Sequence, residues 1–86
     1  MACYRLEVKK SARKSLLALP RAAVQAISQT IDGLADNPYP PGCKKLSGAD
    51  HTHRVRSGGD RIVYTVDNDI LIIAVVKIGH RKDIYR

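Results

Sequence analysis

His53-Arg54-Val55-Arg56-Ser57-Gly58-Gly59-Asp60-Arg61-Ile62-Val63-Tyr64 reads as two extended arms joined by a pair of glycines. A two-residue hairpin loop needs positive φ, which glycine adopts without steric cost, so Gly58-Gly59 between apolar and polar alternation is a hairpin signal. With those two residues as the loop, Ser57 pairs with Asp60, Arg56 lies opposite Arg61, and Val55 lies opposite Ile62. Successive side chains of a strand point to opposite faces. Arg54, Arg56 and Arg61 therefore share one face, and Val55, Ile62 and Tyr64 the other. One face asks for a core, while the other concentrates cations whose mutual repulsion an anion would relieve.

Working outward, Tyr4, Leu6 and Val8 alternate with Arg5, Glu7 and Lys9, which predicts a first strand over residues 2–8. Ser11 has a side chain suited to capping a helix over Ala12–Leu19, and Pro20 ends that segment or opens the next at its first turn. From Arg21 to Ala35, the apolar Val24, Ile27, Ile31 and Leu34 recur at helical spacing. Pro38, Pro40 and Pro41 then break the helix, because they remove backbone donors and hold their predecessors extended. Extended segments follow at Lys44–Leu46, Arg54–Ser57, Arg61–Asp67 and Ile70–Ile78, with turn residues between them. Ile70–Ile78 is apolar on both faces and is expected as a central strand. The predicted fold is α+β: a two-helix hairpin packed on a mostly antiparallel four-stranded sheet, in the order β-α-α-β-β-β.

The chain has 86 residues, enough for a single domain over 1–86 at about 100 residues per domain. At 44% hydrophobic residues it has the means to fold. Fifteen Lys and Arg against eight Asp and Glu give a net charge of +7, which favours polyanionic partners. Glu7 is the sole glutamate and most aspartates sit at turns, which disfavours a paired-carboxylate hydrolase. There is no Trp or Phe, and four scattered tyrosines make no platform for stacking several bases, so RNA contact would be mainly electrostatic. The N-terminus lacks the apolar region of a signal peptide, and the longest apolar run, Ile70–Ile78, is short of the roughly 18 residues that span a bilayer. A cytoplasmic protein with Cys3 and Cys43 reduced is the expectation. His51-x-His53 has the spacing of some metal sites, but no third ligand supports one. Lys9-Lys10-x-x-Arg13-Lys14 reads as an exposed basic helix face.

A second basic cluster, Gly79-His80-Arg81-Lys82-Asp83-Ile84-Tyr85-Arg86, closes the chain and adds an imidazole and a phenol to the arginines of the hairpin. Metal-free RNA cleavage needs a base for the 2′-OH, positive charge on the nonbridging phosphate oxygens, and an acid for the departing 5′-oxygen. Arg54, Arg56, Arg61 and Arg81 suit the phosphate, because guanidinium groups grip it bidentately. With a pKa above about 12 they are poor bases. That leaves His80, His53 or an ionised Tyr85 for proton transfer.

Three segments, Lys45-Leu46-Ser47-Gly48, His53 to Tyr64, and Val76 to Tyr85, together resemble the RelE/ParE toxin superfamily of toxin-antitoxin systems, and within it the RelE-type messenger RNA interferases. The L-x-G, R-x-R, R-I-V-Y and G-H-R-x-x-x-Y elements stand in family order and spacing, and the likeness covers nearly the whole chain. The resemblance implies a toxin that enters the ribosomal A site, against 16S rRNA, and cuts messenger RNA by 2′-OH attack without a metal or other cofactor. It implies catalytic roles for Arg54, at the place of a lysine in RelE, for Arg61 on the phosphate, for Arg81 at the leaving group, and for Tyr85 stacked on the RNA. His80 joins them as the acid-base candidate. Arg56, Lys44, Lys45 and Lys82 would bind RNA phosphate. A cognate RelB-like antitoxin is the implied partner, its acidic segments complementary to this basic chain.

The chain departs from RelE in two places. Thr52 stands where RelE is basic, and Arg54 replaces a lysine whose pKa can fall toward that of a base. Relatives that use an imidazole also carry a catalytic glutamate that has no counterpart here. One rival of another class is a ParE-like toxin of the same fold that inhibits DNA gyrase by binding. Arg61, Arg81 and Tyr85 together argue against it. The other, kept open by Thr52, is an inactive member that acts with its antitoxin in repression.

Overall fold

The structure, a computed structural model, describes residues 3–46 and 51–80, and of His80 the backbone alone. The elements run β1 (Arg5–Val8), α1 (Lys10–Leu17), α2 (Arg21–Leu34), β2 (Lys44–Lys45), β3 (Thr52–Ser57), β4 (Asp60–Asp67) and β5 (Ile72–His80). The sheet has five strands in the order β1-β5-β4-β3-β2, with β1 parallel to β5 and the other pairs antiparallel. The α+β class and element order agree with the sequence reading. The segment Lys44–Leu46, read as extended, forms β2 over Lys44–Lys45, which pairs with Arg54 and His53 as a short edge and brings the sheet to five strands where four were counted.

Both helices lie on one side of the sheet. Ala12 of α1 and Ile27, Ile31 and Leu34 of α2 meet Val55, Ile62, Tyr64, Val66, Ile73, Val75 and Ile78 in one buried cluster. Burying each Ile or Leu side chain fully is worth about 1.5–3 kcal/mol, so this layer supplies most of the folding free energy. Tyr64 is completely buried, and its hydroxyl donates to the Pro38 carbonyl at 2.8 Å, fastening the proline loop to the sheet. Inside that loop, the Tyr39 amide donates to the Asn37 side chain at 3.1 Å and the Cys43 amide to the Pro40 carbonyl at 3.0 Å.

Helix starts differ from expectation at one point. Lys9, not Ser11, is the N-cap of α1, and no side chain caps it. The backbone decides this: the Lys9 amide donates to the Val75 carbonyl at 2.9 Å as the last bond of the β1–β5 pair, and its own carbonyl accepts from Arg13 at 2.9 Å. Strand passes into helix without a loop. Pro20 is the N-cap of α2, where its fixed φ and missing N–H cost nothing. β5 starts at Ile72 instead of Ile70, because the Asp67 carboxylate accepts from the amides of Asp69 and Ile70 at 3.0 and 3.2 Å and Leu71 takes φ 55. No helix among the described residues is long and apolar enough to cross a membrane.

Candidate functional site

The hairpin forms in the register read from the sequence: Ser57 with Asp60, Arg56 with Arg61, Val55 with Ile62, and Arg54 with Val63. Gly58 takes φ +61 at the first position of the loop, a conformation that strains any residue with a Cβ. Because Val55, Ile62 and Tyr64 face the helices, Arg54, Arg56 and Arg61 stand on the opposite side of the sheet. Pairing extends this side in rows. One row crosses the strands as Lys44, Arg54, Val63 and Lys77, and the next as Arg56, Arg61 and Gly79.

Exposure grades across these cations. Lys44 and Arg56 are exposed and Arg54 is half-buried, whereas Arg61 retains only 5% of its accessible surface. Arg61 Nη1 donates to the Asp60 carbonyl at 3.5 Å, a long contact that leans the guanidinium along its own strand. A guanidinium stays charged at any physiological pH. Here its desolvation is already achieved by folding, so a phosphate that reaches it meets a fixed, water-poor charge. Such placement strengthens an interaction that water would screen. Arg56 directly opposite Arg61 adds like charge to like, a local cost that a bound anion offsets.

Lys45 pairs with His53, one position along from Lys44, and so alternates to the helix-side positions. His53 does not join the arginines either. Its ring sits edge-on to Tyr39 at 5.1 Å and stacked on Tyr64 at 5.8 Å, on the core side of β3. Proton transfer at a phosphate on the arginine face is out of its reach. Tyr64 offers no base: burial first, and then the nearby Cys43, push its phenol well above the ordinary value. His51 lies outside the strands at φ 66, its carbonyl accepting from Val66 at 2.9 Å. Among the described residues no group of three His, Cys, Asp or Glu could hold a metal ion. Cys3 and Cys43 are free thiols, the first exposed and the second half-buried.

His80 is the last residue of β5, its backbone paired with Asp60, one step from the Gly79–Arg61 pair. The basic C-terminal cluster therefore begins where β5 leaves the hairpin loop. Arg81, Lys82 and Tyr85 lie outside the described residues, as does the Ser47-Gly48 part of the L-x-G element. Sequence reading missed Lys77, which is exposed on β5 directly across Val63 from Arg54. Its signal was there to be seen, since it is the one charge in the run Ile70–Ile78.

Comparison with known proteins places this arrangement. The family model for the ParE toxin of type II toxin-antitoxin systems matches residues 6–85. A Methanocaldococcus jannaschii protein assigned as toxin RelE1 is 34% identical, covering 96% of either chain. An Escherichia coli protein assigned as RelE-like is 34% identical, over 95% of this chain and 90% of its own. Among solved structures, the archaeal RelE-RelB complex from Pyrococcus horikoshii contains a chain that superposes with TM-score 0.82 at 29% identity, covering 94% of this chain and 97% of that one. The isolated E. coli RelE toxin shares the fold, with TM-score 0.79 at 22% identity over 95% of this chain and 90% of its own. By sequence over nearly its full length and by fold, this chain belongs to the RelE/ParE family of toxins of type II toxin-antitoxin systems.

Proposed function

We propose that the protein is a ribosome-dependent endoribonuclease that cuts messenger RNA in the A site and so stops translation. The observation that carries this reading is the face of Arg54, Arg56 and Arg61, with Arg61 held at 5% exposure on the side of the sheet away from the helices. A guanidinium fixed in a water-poor site is suited to stabilising charge on a phosphate. In the proposed reaction a 2′-OH loses its proton and its oxygen attacks the adjacent phosphorus. The bond from phosphorus to the 5′-oxygen breaks, and that oxygen takes up a proton, leaving a 2′,3′-cyclic phosphate and a 5′-OH. Arg61 and Arg54 stabilise the charge that gathers on the nonbridging oxygens, and Arg56 and Lys44 hold the strand. Loss of one such stabilising donor costs about 10²–10³ in rate. Arg81, beyond the end of β5, assists the leaving oxygen, Tyr85 stacks on the RNA, and Lys82 adds phosphate affinity. His80 serves as the acid-base group, since His53 is packed between tyrosines.

The partner under this reading is a RelB-like antitoxin, because related chains are solved as RelE-RelB complexes and a +7 chain favours acidic segments. Primer extension on a defined message in a purified translation system tests the reading, with the wild type beside Arg81→Ala and each repeated without ribosomes. Cuts that need both the ribosome and Arg81 are expected. A second reading, inhibition of DNA gyrase by binding, is favoured by the ParE description of the matching family model. Growth arrest without cuts, accompanied by loss of supercoiling activity, would establish it instead.

A further inference from the structure

Lys77 is out of place by the rules of its own strand. Ile73 and Val75 are completely buried in the core, and strict alternation would send Lys77 in after them. It does not go there, because the β4–β5 register shifts between Val63 and Tyr64: Tyr64 pairs with Val75 and Val63 with Lys77, which leaves Val76 as the extra residue. Bulges of this kind re-aim side chains and are common beside active sites. The result is that Ile78 returns to the core at 3% exposure, while Lys77, exposed and paired with Val63, falls by register on the arginine face, at the edge of β5 bordered by Ser11, Ala12 and Ser15 of α1.

There it completes a row. Lys44, Arg54, Val63 and Lys77 lie side by side across β2, β3, β4 and β5. With strands about 4.8 Å apart, Lys77 and Arg54 are roughly 10 Å apart across Val63, and Lys44 lies one strand further. Arg61 is diagonal to Lys77 at about 7–8 Å. A lysine is a point charge on a flexible stem, suited to holding a phosphate without fixing its orientation.

We propose that Lys77 is a substrate-binding residue that holds an RNA backbone phosphate next to the one addressed by Arg61, so that the strand crosses the sheet along the Lys44–Lys77 row, perpendicular to the β-strands. This inference rests on the endonuclease reading for its ligand, and its test is chosen to be independent of cleavage. The probe is a 2′-O-methyl RNA oligonucleotide, which has no 2′-OH to attack, titrated against wild type, Lys77→Gln, Lys77→Arg and Arg21→Gln. Arg21 is exposed at the start of α2, on the helix side, and controls for net charge. Lys77→Gln should raise Kd about three- to fivefold, the weight of one exposed charged contact. It should also flatten the salt dependence by about 0.7, as expected for one single-strand phosphate released. Lys77→Arg should restore both, and Arg21→Gln should change neither. An unchanged Kd and slope for Lys77→Gln would overturn the inference, as would an equal loss in Arg21→Gln or a loss confined to antitoxin binding. Failure of the endonuclease reading would show separately, as absence of cuts by the wild type in the translation system.

Discussion

The two faces of one sheet divide the labour of this protein. Along β3 and β4, residues at alternate positions either enter the core, as Val55, Ile62 and Tyr64 do, or stand among cations, as Arg54, Arg56 and Arg61 do. The helix-covered face is apolar and tightly buried. The other is a grid of positive charge in which Val63, 6% exposed, is the apolar centre. The same backbone hydrogen bonds position both faces, so the site inherits the rigidity of the core, and a substitution on either face should betray which role its residue plays.

The largest effect is expected on the helix side. Ile62→Ala removes a fully buried side chain and should cost about 2–5 kcal/mol, enough to unfold much of an 86-residue domain; urea denaturation followed by circular dichroism would read it. If His80, at the end of β5, is the acid-base group proposed above, His80→Ala should lower the single-turnover cleavage rate on programmed ribosomes by roughly 100-fold or more with the urea midpoint unmoved. An unchanged rate would remove His80 from the mechanism.

Tyr64→Phe tests the seam between core and proline loop. It deletes the hydroxyl that donates to the Pro38 carbonyl and should cost about 1 kcal/mol at neutral pH. The phenol is raised above 10.0 in the folded protein, so as pH climbs past that value the unfolded chain loses its proton first and wild-type stability falls. Below that range Tyr64 adds no pH dependence. The deficit of the Phe variant should therefore narrow at pH 10.5, and a constant gap in urea midpoint would contradict the buried, neutral phenol.

The smallest effect separates the faces most sharply. Arg56→Gln removes a charge directly opposite Arg61 and should raise stability by a few tenths of a kcal/mol, while weakening cleavage. A change that stabilises the fold and harms activity belongs to the open face. If Arg56→Gln destabilises instead, the repulsion argued for that face is absent.

Much of this division was legible in the sequence, for identifiable reasons. Gly58-Gly59 pins the hairpin register, and period two then assigns every residue of β3 and β4 to a face. The helical stripe of Ile27, Ile31 and Leu34 was equally plain, since each is buried as its spacing predicts. The extended reading of Lys44–Leu46 held as well, since two of its residues form β2. Two features were not legible. The α1 start depends on a backbone bond from Lys9 to Val75, which is far away in sequence. A bulge leaves no mark on composition, so the side taken by Lys77 could not be counted out from Ile73 and Val75. The face of His53 followed from alternation with Arg54, yet as a titratable residue it drew attention as a base and proved to be packing between Tyr39 and Tyr64. The roles given to Arg81, Lys82 and Tyr85 rest on family resemblance.

The most direct test of the central claim is the single-turnover cleavage rate of Arg61→Gln on programmed ribosomes, measured together with its antitoxin affinity. Arg61 as a preorganised phosphate ligand predicts a rate lowered by about 10²–10³ with antitoxin affinity near that of the wild type. A rate equal to that of the wild type, in a variant that still folds and binds antitoxin, would contradict the assignment of the open face as the cleavage site.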